Sequence, residues 1–484
     1  MQALTTPLPP RARPRAHAHR TAVPSEDPFH AGAYGTAVVN GVQWGVDTSS
    51  SSSSSSSSAA AAVPAAAKRY TKINAALKHF FAYSIEDGRG STDYTISAHD
   101  IADTYLPSFE APIVQADAKG YMCAYSSVNG VPSCGSSFLS RTARGPEWNM
   151  SGYVVSDCGG VSDINGYLGV NASEGAAIAL RDGGVDINCG GGLTNHICDA
   201  IDASLVDASL LDASLARSLT LLFEAGMFDP LGGGGSAQPY TQLGFEAIGS
   251  DATRALAHEA AAQALVLLKN DGATLPLDKA AAPTAKVALL GPHAKTQLEL
   301  GGNYFESICP KDGDCVPSLA QAMTAVPGAR APTVVKGCED TSCVVGGAGA
   351  GGNFPLAVAA AKAADVVVLA LGLVGSPKIE KHPSTSASAS ASSSSSSPSA
   401  AAAGGHNDGT EGEGHDRDFT GLPDGQMKLV EEVLAATAAR PAASRPRVVV
   451  VLFNGGGLAI EALMADARVG AVVEVLTRAF SFFD

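Results

Sequence analysis

Short, almost purely apolar runs that close on a polar residue constrain this chain more than any other feature. Five stand out: Tyr121–Tyr125, Tyr153–Ser156, Val287–Leu290, Val366–Leu371 and Val448–Phe453. Runs of about four to eight such residues suit strands buried on both faces. Alanine-rich stretches alternate with them, among them Ala255–Leu268 and Leu356–Ala364, and these read as helices. Strand and helix in alternation predict parallel sheets covered by helices, an α/β fold. At 484 residues the chain exceeds what one core organises. A Gly/Pro-rich segment, GMFDPLGGGGSAQPY at 226–240, is the natural place to divide it. The expected organisation is a basic, Pro-rich leader at 1–20, a first domain at 21–225, a linker and connecting helix at 226–284, and a second domain at 285–484.

Two low-complexity tracts interrupt this pattern, a Ser/Ala run within 48–66 and another within 376–408. Such composition buries too little apolar surface to offset its ordering entropy, so both are expected to be disordered loop insertions. The net charge of −15 argues against nucleic-acid and anionic-membrane partners. No run of about 18 apolar residues predicts a transmembrane helix.

Nine cysteines fall mostly at short intervals: Cys123 to Cys134, Cys189 to Cys198, Cys309 to Cys315 and Cys338 to Cys343, with Cys158 left over. Their spacing matches no zinc site, so locally closed disulfides and an oxidising compartment are the favoured reading. The leader has no apolar h-region, so no signal peptide is visible.

Three segments could carry chemistry. GYVVSDCGG places Asp157 at the C-terminal end of a buried strand, where a carboxylate could act as a nucleophile. An aspartate after a strand equally suits the cap of the next helix. LKHFFAYSIEDGRG carries Lys78 and His79 at an apolar run with Arg89 beyond, groups able to hold sugar hydroxyls or simply to sit solvated and packed. TEGEGHDRDFTGLPDGQ is a Gly-rich acidic loop with Glu411, Glu413, Asp416 and Arg417, which offers a second carboxyl as a proton donor or is merely a solvated loop. The glycine clusters lack the spacing of a nucleotide-binding turn.

Taken in order, SEDPFHAG, ALKHFFAY, TYLPSFEAPI, MCAYSSVNGVPSC, GYVVSDC, GGVDINCG, LVLLKNDGATLPL, VALLGPHA, EGEGHDR and GLPDGQ resemble segments of glycoside hydrolase family 3, in particular its plant-type β-xylosidase and α-arabinofuranosidase branch. The resemblance spans most of the chain. It implies a partial (β/α)8 TIM-type barrel followed by a doubly wound α/β sandwich, with the active site in the cleft between them. It makes Asp157 the nucleophile and Glu413 the acid/base, with Glu411 as the alternative. Lys78, His79, Arg89, Tyr125 and Asp27 become substrate-binding residues. No metal or organic cofactor is implied, and the Cys123–Cys134 loop is expected to be disulfide-closed.

Departures accompany the resemblance. Relatives carry a longer stretch before the GEDP-like segment, His19 stands where they have an arginine, Ser126 replaces an asparagine, and the chain stops within the second domain. Truncation at both ends is the corresponding expectation. The implied activity is that of an extracellular or cell-wall retaining exo-β-glycosidase releasing xylose, and arabinose in some relatives, from plant-wall oligosaccharides. The alternatives are a β-glucosidase-type enzyme and an inactive chain that at most binds carbohydrate.

Overall fold

The computed structural model describes residues 25–45, 70–229, 240, 243–297, 316–343, 353–375, 410–411, 416–417 and 419–476. The leader, both Ser/Ala tracts and the Cys309–Cys315 interval lie outside the described residues. The chain divides into two compact units, the boundary falling between Ala257 and His258.

The first unit alternates helix and parallel strand. Helix α1 (Pro28–Val39) opens on Asp27 with proline at its first position, a favourable start because the missing N–H has no partner there anyway. Strand β1 (Ala76–Phe80), helix α2 (Pro107–Ala116), strand β2 (Gly120–Cys123), helix α3 (Ser137–Arg144) and strand β3 (Tyr153–Ser156) follow. Next come α4 (Gly160–Leu168), α5 (Ala172–Arg181), which an Asn171–Glu174 capping box starts, and α6 (Ala208–Glu224). The three strands form a parallel sheet in the order β1-β2-β3, with Leu77 opposite Tyr121 and Tyr121 opposite Val154. A single parallel bridge from Val155 to Ile187 extends the sheet by one position. This is one sector of a (β/α) barrel. Its core is aromatic: the Phe80 ring lies 4.6 Å from Phe109 and 4.9 Å from Tyr121. Buried Trp148 and Met150 join the same cluster.

The second unit begins in helix α7 (Asp251–Ala264) and builds a six-stranded sheet. Its strands are β4 (Val266–Asn270), β5 (Val287–Leu290), β6 (Thr333–Val335), β7 (Val366–Gly372), β8 (Arg447–Asn454) and β9 (Ala471–Leu476), with helices α8 (Phe354–Ala363) and α9 (Asp424–Ala438) between them. The spatial order is β4-β9-β8-β7-β5-β6, all parallel except β4, which runs antiparallel at one edge. Numbered from β5, the parallel strands follow the 2-1-3-4-5 order of a doubly wound sheet, reversing direction between β5 and β7. Every residue of β7 is buried, as a central parallel strand requires. Helix α9 lays Gln426, Leu429, Val430, Val433, Leu434 and Thr437 on one buried face at helical spacing. Gln426 is fully used: Nε2 donates to Thr341 O at 2.6 Å and Gly372 O at 2.7 Å, while Oε1 accepts from Gly372 N at 2.9 Å.

Two expectations are corrected. The helix anticipated through Leu268 ends at Ala264, and Val266–Asn270 becomes the antiparallel edge strand. A short apolar run such as VLLK suits either state, and pairing with β9 decides it. The segment expected to be a connecting link thus contributes to the second sheet. Cys189 pairs with Cys158 rather than Cys198, alongside the Cys123–Cys134 and Cys338–Cys343 disulfides, and Cys198 is free and exposed. The Val155–Ile187 bridge runs the two strand ends side by side and brings Cys158 to Cys189. Proximity in sequence was the wrong guide.

Candidate active site

Strand β3 delivers Asp157 to the C-terminal edge of the first sheet. The ladder continues one residue past the strand, because Asp157 N donates to Cys123 O at 3.2 Å. Gly159 then turns the chain into α4 with φ 92°, a left-handed conformation that glycine adopts without cost from a Cβ, and its N–H donates to Cys189 O at 2.9 Å. Gly159 is the N-cap of α4 and no side chain caps that helix. Asp157 is therefore free of the capping role that its position also suited.

Asp157 is buried, its side chain 12% exposed. Oδ1 accepts from Cys158 N at 2.7 Å, and Oδ2 lies 3.1 Å from Nε2 of His79, itself buried at the end of β1. Burial pushes the Asp157 carboxyl up. The hydrogen bond and charge of His79, aided by the Cys158 N–H and the Tyr125 hydroxyl, outweigh it and hold the group below the usual carboxylate range.

A polar chain continues from His79. Its ring meets Tyr83 edge-on at 5.1 Å. Tyr83 donates to Glu86 Oε2 at 3.0 Å, and Arg89 Nη1 donates to both the Tyr83 hydroxyl (3.0 Å) and Glu86 Oε2 (3.1 Å). Burial and the neighbouring Glu86 charge push the Tyr83 hydroxyl far up, so it stays protonated. The Arg89 guanidinium lies 4.8 Å over the Tyr125 ring, and the Tyr125 hydroxyl returns to Cys158 O at 2.9 Å. His79, Arg89, Tyr125 and Asp157 are thus brought together. Lys78 is exposed and joined to His79 by a cis peptide bond.

Other candidates fall elsewhere. Asp27 caps α1, its Oδ1 accepting from Phe29 N at 2.9 Å. Glu413 lies outside the described residues, and Glu411 is placed only through its backbone, in a two-residue strand beside Gly375. Asp416 and Arg417 are buried, with Arg417 Nη2 donating to Gly457 O at 2.8 Å. Among the described residues no three His, Cys, Asp or Glu side chains are arranged to hold a metal.

Sequence reading passed over Tyr83, Glu86, the Cys158–Cys189 link and Asp163. The i,i+3 spacing of Glu86 and Arg89 was a legible signal for the first pair. Asp163 stands in the first turn of α4. Burial and repulsion from Asp157 raise its carboxyl to about 6, against a smaller opposing pull from Arg89.

The family models match on both sides of the unit boundary: residues 16–221 fit the Glycosyl hydrolase family 3 N terminal domain and residues 265–478 the Glycosyl hydrolase family 3 C-terminal domain. The chain belongs to glycoside hydrolase family 3. Curated relatives include a probable exo-1,4-β-xylosidase of Neosartorya fischeri, 30% identical over 93% of this chain and 49% of that protein. A probable β-D-xylosidase of Arabidopsis thaliana is 31% identical over 93% of this chain and 50% of its own length. Among solved structures, a family 3 exo-β-xylosidase in complex with a xylobiose aziridine activity-based probe superposes with a TM-score of 0.72 at 27% identity, covering 96% of this chain and 51% of that one. A β-glucosidase from Listeria innocua shares the fold, with a TM-score of 0.68 at 23% identity over 98% of this chain and 54% of that one. The chain spans about half the length of the curated relatives it matches.

Proposed function

We propose that this family 3 chain carries the site of a retaining exo-β-glycosidase of the plant-type branch, which releases xylose, and arabinose as a second product, from plant-wall oligosaccharides. The observation that supports this best is the state of Asp157: buried at a strand end, held ionised by His79, and faced by Arg89 and Tyr125. An ionised carboxylate has about four lone-pair sites, so one is left beside the bonds from His79, Cys158 N and Tyr125, and it can attack an anomeric carbon.

In this reading Asp157 displaces the leaving alcohol and forms a glycosyl-enzyme ester. Glu413 protonates the departing oxygen, then takes a proton from the water that cleaves the ester; Glu411 is the alternative donor. Retention follows when the two carboxyls stand about 5–5.5 Å apart. His79, Arg89 and Tyr125, with Lys78 beside them, hold the terminal sugar. The xylosidase relatives favour pentose over hexose. The three disulfides among the described residues fit an extracellular setting.

Hydrolysis of aryl β-xyloside by the wild-type chain and by Asp157→Asn tests the proposal. The expected result is activity in the first and a loss of roughly 10^4-fold in the second. Equal rates overturn the assignment of Asp157, and a preference for aryl β-glucoside overturns the pentose reading. Azide rescue of Glu413→Ala, and not of Glu411→Ala, identifies the proton donor.

A further inference from the structure

The chain holds two Asn-X-Ser triplets with X other than proline, Asn149-Met150-Ser151 and Asn171-Ala172-Ser173. Such a triplet accepts an N-linked glycan when the chain passes through a secretory compartment and the triplet stands at the surface. The disulfides bear on the first condition, since Cys123–Cys134, Cys158–Cys189 and Cys338–Cys343 mark an oxidising compartment. The surroundings of each triplet bear on the second, and they differ.

Asn149 lies in the link of residues 145–152 between α3 and β3, which has neither helix nor strand. Trp148 and Met150 on either side of it are buried in the core of the first unit. Asn149 and Ser151 are exposed, so the acceptor amide and the hydroxyl stand at the surface together. Asn149 N donates to Gly145 O at 2.7 Å and the residue takes φ 49°, a left-handed turn conformation that asparagine tolerates well. Asn171 is also exposed, but it is engaged. It is the N-cap of α5, its Oδ1 accepting from Glu174 N at 3.0 Å and its own N–H donating to Glu174 Oε2 at 2.9 Å. Ser173 is half-buried in the first turn of that helix. This local capping box competes with the open chain that a transferase must grip.

We propose that Asn149, in preference to Asn171, carries an N-linked oligosaccharide. This rests on the extracellular setting and not on the chemistry at Asp157. The co-reactants are an oligosaccharide carried on a polyprenyl diphosphate and a host transferase that reads the Ser151 hydroxyl. Asn149 Nδ2 attacks the anomeric carbon of that donor and forms a carbon–nitrogen bond. The bond from that carbon to the diphosphate oxygen breaks, and its electron pair leaves with the polyprenyl diphosphate. The proton lost from Nδ2 passes to a base of the transferase. Asn149 leads into the N-terminal end of β3, whereas Asp157 follows its C-terminal end, and the four strand residues between them span about 13 Å. The glycan therefore grows from the opposite end of the first sheet and leaves the candidate site open.

The test compares the full chain, secreted from a eukaryotic host behind an added secretion signal, with Ser151→Ala and Ser151→Thr. Peptide N-glycosidase in heavy-oxygen water leaves an isotopic mark at each glycan-bearing asparagine, and peptide mass spectrometry reads the occupancy of both triplets. The expected result is higher occupancy at Asn149 than at Asn171 in the wild type, kept in Ser151→Thr and lost in Ser151→Ala. Non-reducing peptide maps of the same samples show whether Cys123–Cys134 and Cys158–Cys189 have formed. Formed disulfides with Asn149 bare, with Asn171 the more occupied, or with Asn149 equally occupied in Ser151→Ala overturn the inference and leave the extracellular reading standing. Free thiols at those cysteines contradict that reading, and the inference with it.

Discussion

The two units build parallel sheets with opposite economies. In the second, β7 is buried along its whole length, β8 is buried at all but two positions, and the polar groups at the end of β7 are satisfied by one glutamine amide. In the first, strands of four and five residues pack an aromatic core, and charge is drawn inside. Asp186, its side chain fully buried, pairs with Arg144 and Arg217 and accepts from Val154 N at 2.9 Å. One strand residue further, the bridge to Ile187 sets Asp157 and the Cys158–Cys189 link in place. The polar sheet holds the residues proposed to carry the chemistry, and its geometry depends on buried charges that are paired.

Removing one of those charges strains the contrast most. Asp186→Ala leaves two arginines without their shared partner and is expected to cost about 3–5 kcal/mol. Hydrogen exchange should show the loss in the first unit and leave the amides of β7 unchanged; equal loss in both would mean that the units do not differ in this way. Leu369→Ala, in the middle of β7, is expected to cost about 2–5 kcal/mol through the cavity it leaves, with the exchange pattern reversed. Breaking the Cys158–Cys189 link by paired serine substitution should cost about 2–4 kcal/mol and lower activity. Unaltered activity would show that Asp157 is placed by the sheet alone.

The smallest expected effect is in pH dependence, and here the units should diverge in sign. His293, buried in the second unit and stacked 5.1 Å from Phe453, is depressed to about 4 by burial. The unfolded chain therefore binds its proton more readily, and this group adds stability as pH rises from about 4 to its ordinary value near 6.5. Asp163 is raised, so the folded state holds its proton more tightly, and its contribution falls as pH rises from 3.8 to about 6. Asp157 is depressed, and its contribution is lost only as pH falls below the ordinary carboxylate range. Unfolding across that window in His293→Phe and Asp163→Asn should shift the slope in opposite directions.

The same contrast governs what could be read from sequence. Tyr153–Ser156 and Val287–Leu290 are strands at the residues anticipated, and Val366 and Val448 fall within strands, because buried parallel strands are continuous apolar runs. VLLK was misread, since a strand and a helix both accept it and only β9 distinguishes them. At the site, Asp157, His79 and Arg89 were legible as chemically apt residues near strand ends, and Tyr125 through the family resemblance. The Cys158–Cys189 pairing and the place of Asp163 were not. Each depends on which strand ends lie side by side, a non-local fact that no spacing along the chain encodes.

The central claim is that Asp157 is the group that bonds to sugar. A xylose-configured aziridine, incubated with the chain and followed by peptide mass spectrometry, tests it most directly. The account predicts a covalent adduct on the peptide containing Asp157 and none in Asp157→Asn. An adduct on another carboxylate, or an undiminished adduct in the variant, would contradict it.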